Sequence, residues 1–337
     1  MQKKVLIKDI AKDLGVSKTV VSWVLNGKAD EKSISVATQE KVLKYADEHH
    51  YQPNFIAKSL SLGKTNSIGL IVPNIADTFY VQVARTIEIE AEKRGYSMIY
   101  SSSEGSGSKE ALLIQFMCSG KVDGLIIAPT KKARRGFENM ISNNFPFVLI
   151  DRYFPELETN YVIQNNRQGI FDLASYMMLK KKERIAIITT EMHLLAMQAR
   201  VEGYRQVYEE SGKSFDESWI KIIDYNNLFQ DLFSALRSLV FPRLQIDSIL
   251  FATHYLAIEG IKILQDLGVD MPEKIAVTSY GDDNCFTIVR PKVTAMQLPF
   301  EEMGRNEVDI LIPRITDRDM DRKTVVIDAR LIVRESC

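Results

Sequence analysis

Six side chains between residues 17 and 26 are the most suggestive chemistry in the chain: Ser17, Lys18, Thr19, Ser22, Trp23 and Asn26. Hydroxyl, ammonium and amide groups donate to phosphate oxygens or to base edges, and an indole offers an apolar face to a base. On a helix, positions three and four apart share a face. Val21, Val24 and Leu25 can then face back onto the preceding helix, and the face left over carries Ser17, Lys18, Thr19, Ser22 and Trp23. A second set lies at the ends of short apolar runs. Asn74, Phe79 and Tyr80 follow the first run, Asp151 and Arg152 follow VLI, Tyr225 follows IKIID, His254 follows ILFAT and Asp282 follows AVTSYG. Polar and aromatic groups after strand ends are where an open parallel sheet holds a small molecule.

The first set needs a frame. Ile10, Ala11 and Leu14 repeat at helical spacing, Gly15 breaks that helix, Ser17 is a good N-cap, and Asn26-Gly27 ends a second helix. Two short helices joined by a glycine-bearing turn make a helix-turn-helix, whose second helix enters the major groove. The alternative is a plain helical hairpin in a bundle. Ser35 then caps a third helix with Val42, Leu43, Tyr45 and Ala46 on its apolar face. His49 and His50 follow, about 100° apart on a helix and so poorly placed to share a metal. Beyond Pro53, only about two helical turns precede the polar stretch 61–67. A helix this short does not hold alone in water, so Asn54, Ala57 and Leu60 form a segment that folds on DNA, with Leu60 as a minor-groove wedge. An interdomain linker is the alternative.

Charge is distributed unevenly. The chain has 337 residues and a net charge of -1, but residues 1–67 carry eleven lysines against seven acids, leaving the remainder acidic. A basic head on an acidic body predicts that only the head meets a polyanion. There is no secretory signal and no membrane-length apolar run. Cys118, Cys285 and Cys337 are scattered, as in a reducing cytoplasm. The four histidines lack zinc-ligand spacing, no nucleophile motif is present, and the Gly105-Ser106-Gly107 turn lacks the rest of a phosphate-binding loop. These readings predict no metal, no cofactor and no catalytic residue.

The body alternates strand and helix. Apolar runs at 68–72, 98–100, 124–127, 147–150, 185–188, 220–223, 248–251 and 275–277 are separated by helical patterns such as 79–94, 109–119, 168–178, 200–210, 228–239 and 256–267. Such alternation predicts parallel sheets covered on both faces. The series repeats on either side of about residue 163, which predicts two lobes.

The motifs VSKTVVSWVLNG, YQPNFIAKSL, TNSIGLIVPNIADTFY, VDGLIIAP, VLIDR, ARVEGYR and RLIVRES, in this order, resemble the LacI/GalR family of bacterial transcription regulators along the whole chain. The resemblance implies an α/β protein with a three-helix DNA-binding head (1–53), a hinge helix and linker (54–67), and a two-lobed body like periplasmic sugar-binding proteins. The first lobe would take 68–163 and 294–325, and the second 164–293 and 326–337. It implies a cytoplasmic repressor of double-stranded operator DNA, acting as a homodimer away from any membrane and controlled by a small molecule, a sugar or sugar derivative. By register, Asn74, Phe79, Tyr80, Asp151, Arg152, Arg200, Tyr225, His254 and Asp282 would hold that effector. Helices 79–94 and 109–119 would form the dimer surface, and the absence of a leucine heptad after Arg334 predicts a dimer rather than a tetramer.

Departures from the family pattern matter. Trp23 stands where Arg is usual, Val20 where Thr is common, and Leu6 where Thr usually caps the first helix. The loop before Ser35 is about three residues longer than usual. Gly281 falls at the Asp most often used to grip ligand, leaving Asp282, and His254-Tyr255 replaces a frequent Asn-Asp. Two other classes compete: a solute-binding protein of a sugar uptake system, and a sugar-active enzyme on the same body.

Overall fold

The computed structural model describes residues 5–51, 63–130, 134–190, 192–241 and 246–337. The chain divides into two compact units, residues 1–64 and 65–337. Asn54, Ala57 and Leu60 lie outside the described residues.

The head contains helices α1 (Ile7–Asp13), α2 (Lys18–Leu25) and α3 (Val36–Glu48). Its core is the apolar stripe read from the sequence: Ile10, Ala11, Val21, Val24 and Val42 are buried, with Leu14 and Tyr45 packed on them. Gly15 makes the turn at φ 66°, a conformation that costs a Cβ-bearing residue dearly. Leu6 has no polar side chain, so α1 is capped instead by Asp9, whose Oδ2 accepts from the Leu6 N–H at 2.9 Å. The long 28–34 loop is anchored by Ala29, 4% exposed, whose carbonyl accepts from the Ile34 N–H at 2.9 Å.

The second unit holds two six-stranded sheets. The first orders β11-β5-β4-β3-β1-β2, with strands Ser67–Val72 (β1), Ser97–Ser102 (β2), Gly124–Ile127 (β3), Phe147–Ile150 (β4), Tyr161–Gln164 (β5) and Thr324–Ile327 (β11). The second orders β12-β10-β9-β8-β6-β7, with Ile185–Thr190 (β6), Ile220–Ile223 (β7), Ser248–Phe251 (β8), Ala276–Tyr280 (β9), Thr294–Gln297 (β10) and Arg330–Ile332 (β12). All pairings are parallel except β10 with β12. The central strands are buried along their whole length, as parallel strands covered by helices on both faces must be. In both sheets the order reverses beside the first strand of the series, which opens a crevice at the carboxyl ends.

The lobe crossings differ from the sequence reading, which assigns 294–325 to the first lobe. Strand β10 instead pairs with β9 and β12, so the chain leaves the second sheet only after Gln297, through Leu298-Pro299 into helix Phe300–Thr316. Thr294 and Ala295 are fully buried and Met296 nearly so, and their burial fixes that strand in the second core. Likewise β11 stays in the first sheet through Ile327, and the final crossing precedes β12. With the passage from Gln164 into helix Asn166–Leu179, three connections join the lobes. Among the described residues no helix is long and apolar enough to cross a membrane.

Candidate functional site

In the head, Ser17, Lys18, Thr19 and Asn26 are exposed, and Ser22 and Trp23 are half-buried. Ser17 Oγ accepts from the Val20 N–H at 3.1 Å, which caps α2 and leaves the hydroxyl proton able to donate. Asn26 Nδ2 donates to the Ser22 carbonyl at 2.8 Å and to Ser22 Oγ at 3.3 Å, so these two side chains form one polar unit at the helix end. Lys32, from the long loop, sets its ammonium 5.7 Å from the centre of the Trp23 ring, within cation–π range. The loop insertion and the Trp23 substitution therefore meet in one place.

In the body, the carboxyl ends of both sheets face each other across a cleft of about 580 Å³, open to solvent, whose lining includes Phe79, Tyr80, Asp151, Arg152, Arg200 and His254. Tyr80 donates its hydroxyl to Asp151 Oδ2 at 2.9 Å, and Arg152 Nε lies 3.5 Å from the same oxygen. Asp151 is held at φ 65°, a left-handed conformation that points to a position fixed by its surroundings. Arg200 is 6% exposed. Its Nε donates to Asn166 Oδ1 at 2.8 Å, its Nη1 to the Ala252 carbonyl at 2.6 Å, and its guanidinium lies 4.3 Å from the Tyr280 ring centre. Burial lowers the Arg200 pKa from its usual value and pushes the Tyr280 phenol up to about 12.

His254 ties the lobes together. Its Nε2 is 2.9 Å from Thr78 Oγ1 and 3.6 Å from Asp77 Oδ1, both at the start of helix Thr78–Glu92 in the first lobe. Burial lowers the His254 pKa, against the attraction of Asp77 and Asp283; burial also raises that of Asp77. Two buried polar atoms of the cleft lining, Gln164 Oε1 and the Tyr280 hydroxyl, have no hydrogen-bond partner among the described residues.

Three expected effector residues lie elsewhere. Asn74 is exposed and folds back, accepting from the Ala76 N–H at 2.9 Å. Tyr225 is 49% exposed and packs edge-on against Tyr255, which does line the cleft. Asp282 borders the adjoining space near Gly281 but is gripped by Arg334 through two bonds of 2.8 and 2.6 Å. Sequence reasoning missed Asp77, Thr78, Gln164, Tyr255 and Tyr280. A signal existed for two of them, since Gln164 and Tyr280 each end a β-strand run.

A helix-turn-helix unit together with a two-lobed body closing on a small-molecule cleft defines a ligand-responsive DNA-binding regulator. Residues 6–54 match the family described as "Bacterial regulatory proteins, lacI family", and residues 174–337 match the "Periplasmic binding protein-like domain". Among curated relatives, the ribose operon repressor of Escherichia coli K12 is 28% identical over 332 residues, covering 98% of this chain and 99% of that one. The HTH-type transcriptional repressor PurR of Vibrio vulnificus is 26% identical, covering 98% of each. Among solved structures, the lac repressor dimer bound to operator and the anti-inducer ONPF superposes with a TM-score of 0.86 at 19% identity, covering 99% of each chain. The complex of the transcriptional regulator CelR with cellobiose gives 0.73 at 24%, covering 99% of this chain and all of that one. The chain belongs to the LacI family of bacterial transcription regulators. It is a DNA-binding transcription regulator.

Proposed function

We propose that the protein is a homodimeric repressor whose operator affinity is set by a sugar or sugar derivative bound between the lobes. The observation that carries this reading is the cleft itself. Arg152 and Gln164 offer donors and acceptors for hydroxyls, while Phe79, Tyr80 and Tyr255 offer faces for the apolar side of a sugar ring. Names of relatives agree in kind, since they include a ribose operon repressor and a cellobiose complex. The repressor sign rests on those relatives as well. The dimer reading is supported by Val81, Leu112 and Phe116, large apolar residues exposed on helices Thr78–Glu92 and Gly107–Cys118 of the first lobe.

On DNA, Ser17, Ser22 and Asn26 fix register on phosphates, and Lys18, Thr19 and Trp23 read bases. Asn54, Ala57 and Leu60 contact the minor groove at the operator centre. The effector touches groups from both lobes, so it favours one closure angle over another and shifts DNA affinity by a coupling of about 1–3 kcal/mol. The test is operator selection from a randomised duplex pool with full-length protein at fixed salt, followed by a sugar screen on the selected duplex. A palindrome whose binding responds to a sugar is the expected result. Binding without sequence preference, or a duplex indifferent to every sugar, overturns the reading.

A further inference from the structure

A second concave site lies at the opposite end of the first sheet. Strands β4 and β5 end at the effector cleft with Asp151 and Gln164, and they begin, about 13 Å away at the usual rise per residue, beside a pocket of about 460 Å³ open to solvent. Arg314, Arg318 and Arg322 line it, with Thr159 and Asn160 from the start of β5. Against these three guanidinium groups the lining holds one carboxylate, Glu158, which pairs with Arg322 at 2.8 Å. Asp317, Asp319 and Asp321 alternate with the arginines along the chain, but none of them lines the pocket.

Arg314 lies in the last turn of helix Phe300–Thr316, where the helix dipole favours a cation, and its Nη1 donates to the Met320 and Asp321 carbonyls at 2.6 and 3.0 Å. That arrangement accounts for Arg314 as a clamp on the turn. It does not account for its neighbours. Arg318 has no ion pair or hydrogen bond with any described residue. Thr159, another residue of the lining, is 5% exposed, and its buried Oγ1 has no partner among the described residues. A buried hydroxyl without a partner is costly unless something supplies one.

We propose that this pocket is a second ligand site, separate from the effector cleft, that takes the phosphate group of a small molecule. Guanidinium forks match the paired oxygens of a tetrahedral oxyanion, and the Thr159 hydroxyl supplies a short, desolvated bond to a third oxygen. The site rests on its own residues and does not depend on the identity of the cleft's effector.

The test is calorimetric titration of full-length protein with sodium phosphate and, separately, with glycerol 3-phosphate, against sodium chloride at matched ionic strength. Saturable binding of either phosphate, absent with chloride, is expected. Preference for one over the other tells whether free phosphate or a phosphate ester is the occupant. Arg318→Ala, an exposed change that leaves the fold intact, weakens binding about tenfold or more, the usual effect of losing one charge-assisted bond. Thr159→Val weakens it as well, and Arg152→Ala in the cleft leaves it unchanged. Phosphate heats no different from chloride, full affinity in Arg318→Ala, or loss of binding in Arg152→Ala would each overturn the proposal.

Discussion

The DNA-reading face of the head and the effector cleft are built on opposite principles. On α2 the side chains proposed to meet DNA are exposed or half-exposed, and their bonds are mostly to their own helix: Ser17 to Val20, Asn26 to Ser22. In the cleft the corresponding groups are mostly buried or half-buried and bonded across long stretches of chain. Tyr80 reaches Asp151, Arg200 reaches Asn166 and Ala252, and His254 reaches Thr78. A face of the first kind can change its target without disturbing the fold. A site of the second kind binds ligand and holds the lobes with the same atoms, so changing its specificity also changes its stability.

The sharpest way to break this contrast is at Arg200. Arg200→Ala leaves Asn166 Oδ1 and the Ala252 carbonyl buried without a donor and should cost about 3 kcal/mol of stability together with effector binding, read by urea unfolding and sugar titration. If stability is unchanged, the cleft is not cross-linked as described. Lys18→Ala should instead lose about 1–3 kcal/mol of operator affinity with no change in the unfolding midpoint, by gel shift and urea titration in parallel. Trp23→Arg tests the same face more finely. It should shift base preference toward guanine at one operator position and leave stability alone.

A buried group outside both sites gives a reference. Glu307 in helix Phe300–Thr316 is fully buried, neither carboxylate oxygen has a partner among the described residues, and burial raises its pKa well above the usual range. A raised carboxyl contributes its stability below pH 4.5 and loses it as pH rises through the folded value. Glu307→Leu should therefore stabilise the second unit by about 1–3 kcal/mol at pH 7, and less at pH 4, by thermal unfolding at the two pH values.

The smallest effects are the two limbs of the pH profile. His254, lowered by burial, contributes stability above pH 6.5 that is lost on acidification, because the unfolded chain then binds the proton more readily. Glu110 accepts from the Thr130 N–H at 2.7 Å, yet burial raises its pKa to about 7; its contribution is present below 4.5 and lost as pH rises through about 7. His254→Gln should flatten the acid limb and Glu110→Gln the alkaline one. A profile unchanged by either substitution would detach both groups from the stability of the effector unit.

Local periodicity and turn chemistry made the head legible. Ile10, Ala11, Val21 and Val24 announce which faces pack, and Gly15 and Ser17 announce where one helix ends and the next begins. The run-and-helix alternation likewise revealed two parallel sheets, because a strand buried on both faces must be apolar throughout. What the sequence could not decide was partnership at a distance. Nothing near Thr294 says that this strand belongs with β9 rather than with the first lobe; only pairing with Ala276–Tyr280 and Arg330–Ile332 settles it. Nothing near Asp282 says that Arg334 would take its carboxylate, or near His254 that Thr78 and Asp77 would meet it from the other lobe. Elements follow from short-range sterics and hydrophobic spacing, which neighbouring residues encode. The cleft depends on which strand ends the crossovers bring together, and that is fixed only when the two cores pack.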